Sequence, residues 1–162
     1  SGKPSLKMKI SNSSRLLIDA SVLITATRNP HGGSGAILAL GKTKKFHPII
    51  TPLILQETEK NIKKKLTKKD LLKFYQQLSK WKSWIKNNPS LEEIALFNQV
   101  IDPKDSHVLA AASKHQADFL ITLDKKHFFT IKIKKANFAF LIITPEKFLR
   151  IYRQQHEDNT LV

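Results

Sequence analysis

Four acids in this chain of 162 residues stand where a carboxylate could act on a substrate: Asp19, Glu57, Asp105 and Asp124. Asp19 closes the apolar run Leu16-Leu17-Ile18, and Asp124 closes Phe119-Leu120-Ile121-Thr122-Leu123. Glu57 follows Ile49-Ile50-Thr51-Pro52-Leu53-Ile54-Leu55-Gln56, and Asp105 opens the helical segment Ser106-His107-Val108-Leu109-Ala110-Ala111-Ala112. In an open parallel α/β sheet, ligands bind at the carboxyl ends of the strands. Acids gathered there from distant parts of a chain repel one another, by roughly 4 kcal/mol for a pair about 4 Å apart at an effective dielectric near 20. A hard divalent cation offsets that repulsion. Mg2+ or Mn2+, as one ion or two, suits a site built wholly of carboxylate oxygen.

Each acid also has a structural role open to it. Asp19 and Asp105 could cap the helices that follow them, and Glu57, in the first turns of a helix, would favour its dipole. Asp102, in a loop before proline, and Asp118, ahead of a strand, read as solvated. The six histidines, His31, His47, His107, His115, His127 and His156, contain no His-x-x-x-His pair, so none is assigned to metal. His107 and His127 lie near the proposed acids, where they could touch a substrate phosphate.

The elements that must position these residues alternate. Leu16 to Ile18, His47 to Thr51, Phe119 to Leu123 and Phe138 to Ile143 read as short buried strands. Between them, helical periodicity is expected over Ala20 to Thr27, over Ala36 to Leu40 with Gly41 closing it, from Pro52 onward, over Leu71 to Ile85 behind a Thr67 cap, and over Asp105 to His115. Arg28 to Gly35, with three glycines and a proline, reads as a loop, Glu92 to Val100 fits either a short helix or a strand, and a last helix is expected from Glu146 to about Gln155. Such alternation predicts an α/β fold of three layers, α/β/α, around a mostly parallel sheet of four or five strands. Residues 1–14 read as a loose basic arm, with Ser1-Gly2 as a scar of tag removal. Residues 15–155 read as one domain and 156–162 as a tail. Trp81 and Trp84, three apart, are expected to pack in a core or against a partner rather than to stack on bases.

The charge narrows the class of partner. Twenty-eight Lys and Arg against thirteen acids give a formal charge of +15 and a pI near 10.1, a field that attracts polyanions. It is concentrated: ten lysines and one acid between Lys60 and Lys86, then five lysines and no acid between Lys125 and Lys135. Lys60, Lys63, Lys64, Lys68, Lys125 and Lys126 are the expected nucleic-acid contacts. Because lysines dominate, phosphates are met as point charges and bases go unread. The absence of cysteine excludes disulfides and thiolate metal sites and fits a reducing, cytoplasmic setting. No apolar run is long enough to span a membrane, and no signal peptide is visible.

With these residues in hand, the chain resembles the PIN-domain nucleases. Leu17-Ile18-Asp19-Ala20-Ser21-Val22-Leu23 is similar to that family's first strand and turn, and Asp105-Ser106-His107-Val108-Leu109-Ala110-Ala111-Ala112 to its acid-headed helix. Ala117-Asp118-Phe119-Leu120-Ile121-Thr122-Leu123-Asp124-Lys125-Lys126-His127-Phe128 is similar to its last acidic motif, and Thr144-Pro145-Glu146-Lys147-Phe148-Leu149 to its closing strand-to-helix step. The resemblance implies a PIN-like domain in which Asp19, Glu57, Asp105 and Asp124 bind metal and catalyse, supported by Ser21 and Thr122. Leu123 departs from the small residue that often precedes the last acid. The implied activity is metal-dependent hydrolysis of RNA phosphodiesters, on single-stranded substrate. A VapC-like toxin blocked by a cognate antitoxin, and acting as a homodimer, is the analogous setting. The alternative is a nucleic-acid-binding module with weak or absent catalysis.

Overall fold

The computed structural model describes residues 9–160. The expected basic arm lies largely outside them. Its described end is tied down, with Ile10 N donating to Gln155 Oε1 at 2.9 Å. Four strands, β1 (Arg15–Ile18), β2 (His47–Ile49), β3 (Phe119–Ile121) and β4 (Leu141–Ile143), form one wholly parallel sheet in the order β2-β1-β3-β4. Leu16, Leu17, Ile18, Phe119, Leu120 and Ile121 have no exposed surface. A strand buried on both faces reads as a continuous apolar run rather than an alternation, which is why three consecutive apolar residues suffice in β1 and again in β3.

Between β1 and β2 lie α1 (Ala20–Arg28) and α2 (Gly33–Lys42). Between β2 and β3 come α3 (Pro52–Lys65), α4 (Lys68–Leu78), a 3-10 segment Ser79–Trp84, α5 (Leu91–Ala95), a 3-10 turn Pro103–Asp105 and α6 (Ser106–Lys114). Short helices α7 (Lys125–Phe128) and α8 (Ile131–Ala136) link β3 to β4, and α9 (Pro145–Thr160) closes the fold. The helices cover both faces of the sheet, the three-layer α/β/α arrangement expected. Thr51 caps α3 by accepting from Ile54 N, with Pro52 at its first position, and a reciprocal Thr67–Asp70 capping box starts α4. In α6, Ala110, Ala111 and Ala112 are buried, so small side chains bring the helix close against its neighbours. Phe148 of α9 meets Phe46 and Phe119 edge-on at 5.2 and 5.3 Å, locking the last helix to the core. Trp81 and Trp84 are buried and stacked on each other at 6.4 Å, the core role expected of them.

Several boundaries differ from the sequence reading. The fourth strand starts at Leu141 rather than Phe138, because Asn137 takes a left-handed conformation (φ 53°) that ends α8 and turns the chain. Leu71 to Ile85 is not one helix, since the α-helical turn tightens to 3-10 after Leu78. The last helix continues past Gln155 to Thr160, into the expected tail. Gly33 and Gly35 belong to a helix, not a loop. A Cβ on Gly35 would lie 2.0 Å from the Pro30 carbonyl oxygen, so glycine is there to let α2 pass against backbone. Gly41 likewise makes room for Pro48, 2.5 Å from where its Cβ would be, rather than ending the helix. Gly35→Ala is therefore expected to cost about 3 kcal/mol or more, a fall in Tm of about 6–12 °C by thermal denaturation. An unchanged Tm would contradict this packing.

Candidate active site

The strand order puts the switch in chain direction between β1 and β3. From β1 the chain goes out to β2 on one side, then crosses back to β3 on the other. Crevices at such a point, outside the carboxyl ends, are where open α/β sheets hold ligands. Asp19 follows β1 and Asp124 follows β3 by three residues. The ladder continues one step beyond the strands, with Asp19 N donating to Ile121 O at 3.0 Å.

Asp19 is buried, and it caps nothing: α1 begins without a side-chain cap bond. Its Oδ2 instead accepts from Ser21 Oγ and from Thr122 Oγ1, both at 2.8 Å. The same two hydroxyls accept backbone N–H groups from the other side, Ser21 Oγ from Leu123 at 3.0 Å and Thr122 Oγ1 from Asp124 at 3.1 Å. Ser21 and Thr122 thus tie the ends of β1 and β3 into one unit, and the Leu123 backbone is fixed within it. Both hydroxyls use Oδ2, so neither ties up Oδ1.

Burial pushes the Asp19 carboxyl up to about 6, against the pull of the Thr122 and Ser21 hydroxyls, and the charge of Glu57 adds to the rise. Its ordinary value of 3.8 holds in the unfolded chain, so the fold binds the proton more tightly. Without a cation, this group lowers stability as pH rises from about 4 through about 6, and the loss is complete above that window. A move of about two pH units corresponds to about 3 kcal/mol. Metal-free Asp19→Asn is expected to melt several degrees above the wild type at about pH 8, with the gap closing toward pH 4. A gap independent of pH, read from melting curves in chelator, would contradict it.

Asp105 is buried and likewise makes no capping bond. Burial raises its pKa, while a hydrogen bond and the charge of Lys104 oppose the rise. Lys104 Nζ stands 3.1 Å from Asp105 Oδ2. His127 also lowers the Asp105 value and Asp124 raises it, so these charges sense one another. Asp124 accepts from His127 N at 3.2 Å, capping α7, and its Oδ2 lies 2.8 Å from His127 Nδ1. Among the described residues, ligand atoms of Asp105, Asp124 and His127 all come within 4.8 Å of one another, a grouping able to hold a metal ion. Asp19 and Glu57 fall outside that group. Glu57, half-buried in α3, has Oε1 3.1 Å from His107 Nε2 and acts on Asp19 through its charge.

A groove of about 610 Å³ runs from this cluster, lined by Glu57, Lys60, Lys64, Lys104, Asp105 and His107 among others. Of the expected lysines, Lys60 and Lys64 line it, and Lys125 and Lys126 are exposed on α7 beside Asp124. Lys63 instead faces Glu59 at 3.7 Å, and Lys68 sits at the start of α4, away from the groove lining. Lys104 was not expected from sequence, since it stands outside both lysine clusters. His127 was not expected as a donor to metal either. A His-x-x-x-His pattern leaves out an Asp and a His three apart in one helical turn. Asp102 is exposed and caps the 3-10 turn through Lys104 N. Asp118 clips β1 from the far end, accepting from Arg15 N at 2.8 Å.

The PIN-domain profile matches residues 15–126, and the chain belongs to the PIN-domain family, whose members are generally nucleases using divalent metal. Among solved structures, the fold is similar to that of FitAcB from Neisseria gonorrhoeae, with 16% identity, TM-score 0.57, and 80% of this chain and 97% of that one covered. It is also similar to VapBC2 from Rickettsia felis bound to a DNA fragment from their promoter, with 16% identity, TM-score 0.55, and 80% and 98% covered. PAE2754 from Pyrobaculum aerophilum aligns at 15% identity and TM-score 0.55, over 91% of this chain and 96% of that one. No curated protein sequence matches. The donors that converge, carboxylates of Asp105 and Asp124 and the His127 ring nitrogen, fit a divalent cation, and burial raises the Asp105 pKa even with Lys104 beside it.

Proposed function

We propose that this protein is a metal-dependent endoribonuclease, hydrolysing phosphodiester bonds of single-stranded RNA with Mg2+ or Mn2+ at the Asp19, Glu57, Asp105 and Asp124 cluster. The observation that carries the reading is the meeting of Asp105 and Asp124 with His127, next to a lysine-lined groove that Asp105 shares with Glu57. Bound there, a divalent ion would lower the pKa of the attacking water and neutralise charge building on the phosphate. Asp105 and Asp124 would hold it, and Asp19 would complete the set, fixed in orientation by Ser21 and Thr122. Glu57, steadied by His107, faces the groove and orients the attacking water. Lys60, Lys64 and Lys104 meet the substrate phosphates on one side, Lys125 and Lys126 on the other. Lys104 lies close enough to Asp105 to turn from it to a phosphate oxygen as charge develops there.

The folds that resemble this one include VapBC2 and FitAB, both solved on DNA, and a toxin role restrained by a cognate antitoxin is the corresponding reading here. Leu91, Leu96 and Ile131 are among the exposed apolar residues that a partner could cover. Among the described residues, no helix is long and apolar enough to cross a membrane. The substrate assignment is tested by offering labelled single-stranded RNA and DNA of one sequence in Mn2+. Cleavage of RNA alone supports an endoribonuclease. Cleavage of both strands at similar rates would reduce the reading to an unselective nuclease, and cleavage of neither would favour a binding module.

A further inference from the structure

His127 supplies a donor that four carboxylates lack. Its Nδ1 lies 2.8 Å from Asp124 Oδ2, 3.1 Å from Asp124 Oδ1 and 3.9 Å from Asp105 Oδ2. Helix α7 sets this arrangement: Asp124 is its N-cap, His127 is three residues on, and one short turn aims both side chains at the same point. Adjacent ligands of an octahedral cation with bonds of roughly 2.1 Å lie roughly 3.0 Å apart, and opposed ligands roughly 4.2 Å. The His127–Asp124 separations fit adjacent ligands, and the His127–Asp105 separation falls between the adjacent and opposed values. The side chain of His127 is about a quarter exposed, at 27%, so the ring is not locked in the core. Phe128 beside it is buried and anchors the turn.

We infer that His127 Nδ1 is a direct ligand of the divalent ion, alongside Asp105 and Asp124, and that this nitrogen tilts the site toward Mn2+ over Mg2+; the inference rests on the metal-dependent reading of the site. The chemistry follows from donor type. Mg2+ holds an oxygen shell and dehydrates reluctantly, whereas Mn2+, though it too favours oxygen, stands at the start of the first-row transition series and takes up a single imidazole nitrogen more readily than Mg2+ does. One nitrogen among oxygens therefore separates two ions that an all-carboxylate site treats alike. The same 2.8 Å would also arise if Nδ1–H simply donated to Asp124, so the test must see the metal itself.

Mn2+ is titrated into the purified protein, and the electron spin-echo modulation of the bound ion is recorded. Wild type is expected to show coupling to an imidazole nitrogen, and His127→Ala to lack it. By calorimetry, His127→Ala should bind Mn2+ at least about tenfold more weakly, with Mg2+ binding much less affected. His127→Asp, which restores an oxygen donor, should bind both ions with the preference for Mn2+ gone. Mn2+ bound by wild type without nitrogen coupling, or coupling that survives in His127→Ala, would overturn the inference while leaving the nuclease reading intact. Wild type that binds neither ion would overturn both.

Discussion

Asp105→Asn is expected to lower RNA cleavage on the order of a thousandfold, the scale of removing one electrostatic stabiliser from a buried reacting centre, while RNA stays bound. The substitution keeps the side chain's shape and removes its charge. Asp105 is buried and makes no capping bond, so the helix behind it loses nothing by the change. What disappears is a charged oxygen 3.1 Å from Lys104 and one corner of the group with Asp124 and His127. Affinity for RNA should hold or rise, because a negative charge facing phosphates has gone. Comparing single-turnover cleavage with filter binding for the two proteins checks both halves. Cleavage within tenfold of wild type would remove Asp105 from the site.

The second large effect concerns salt. If Lys60, Lys64, Lys104, Lys125 and Lys126 each neutralise one phosphate, five contacts at about −0.7 apiece give a slope near −3.5 in log affinity against log salt. Between about 50 and 200 mM salt, affinity for single-stranded RNA should fall about a hundredfold. Replacing Lys60, Lys64 and Lys104 with Gln should flatten the slope by about 2 and weaken binding to all sequences alike. A slope unchanged in that triple variant would mean that RNA runs elsewhere. The groove would then need another occupant.

The sheet was legible in the sequence because its strands are buried on both faces. Leu16-Leu17-Ile18 and Phe119-Leu120-Ile121 can be little else in a chain of this charge. Asp19 and Asp124 stand out in the sequence for the same reason, since each follows an apolar run. The grouping of the four acids was only partly legible: the structure draws Asp105 and Asp124 together with His127, while Asp19 and Glu57, outside that group, sense each other's charge. Asp124 and His127 share one short turn, yet a His-x-x-x-His pattern does not include them, and only the fold sets the distance between a β3 loop and the head of α6. Gly35 misled because a glycine needed for close approach to Pro30 looks the same in sequence as one needed for a turn. Lys104 was passed over because a single lysine carries no patch signal. It gains meaning only from the 3.1 Å to its neighbour Asp105.

On the proposed reading, this crevice cuts RNA through a metal held by its carboxylates. The most direct test incubates labelled single-stranded RNA with wild type and with Asp105→Asn purified in parallel, each in Mn2+, in Mg2+ and in EDTA. Wild type should cleave with metal and stop in EDTA, and Asp105→Asn should cleave on the order of a thousandfold more slowly with metal and not at all in EDTA. Cleavage by wild type that persists in EDTA, or an Asp105→Asn protein as active as wild type, would contradict the account.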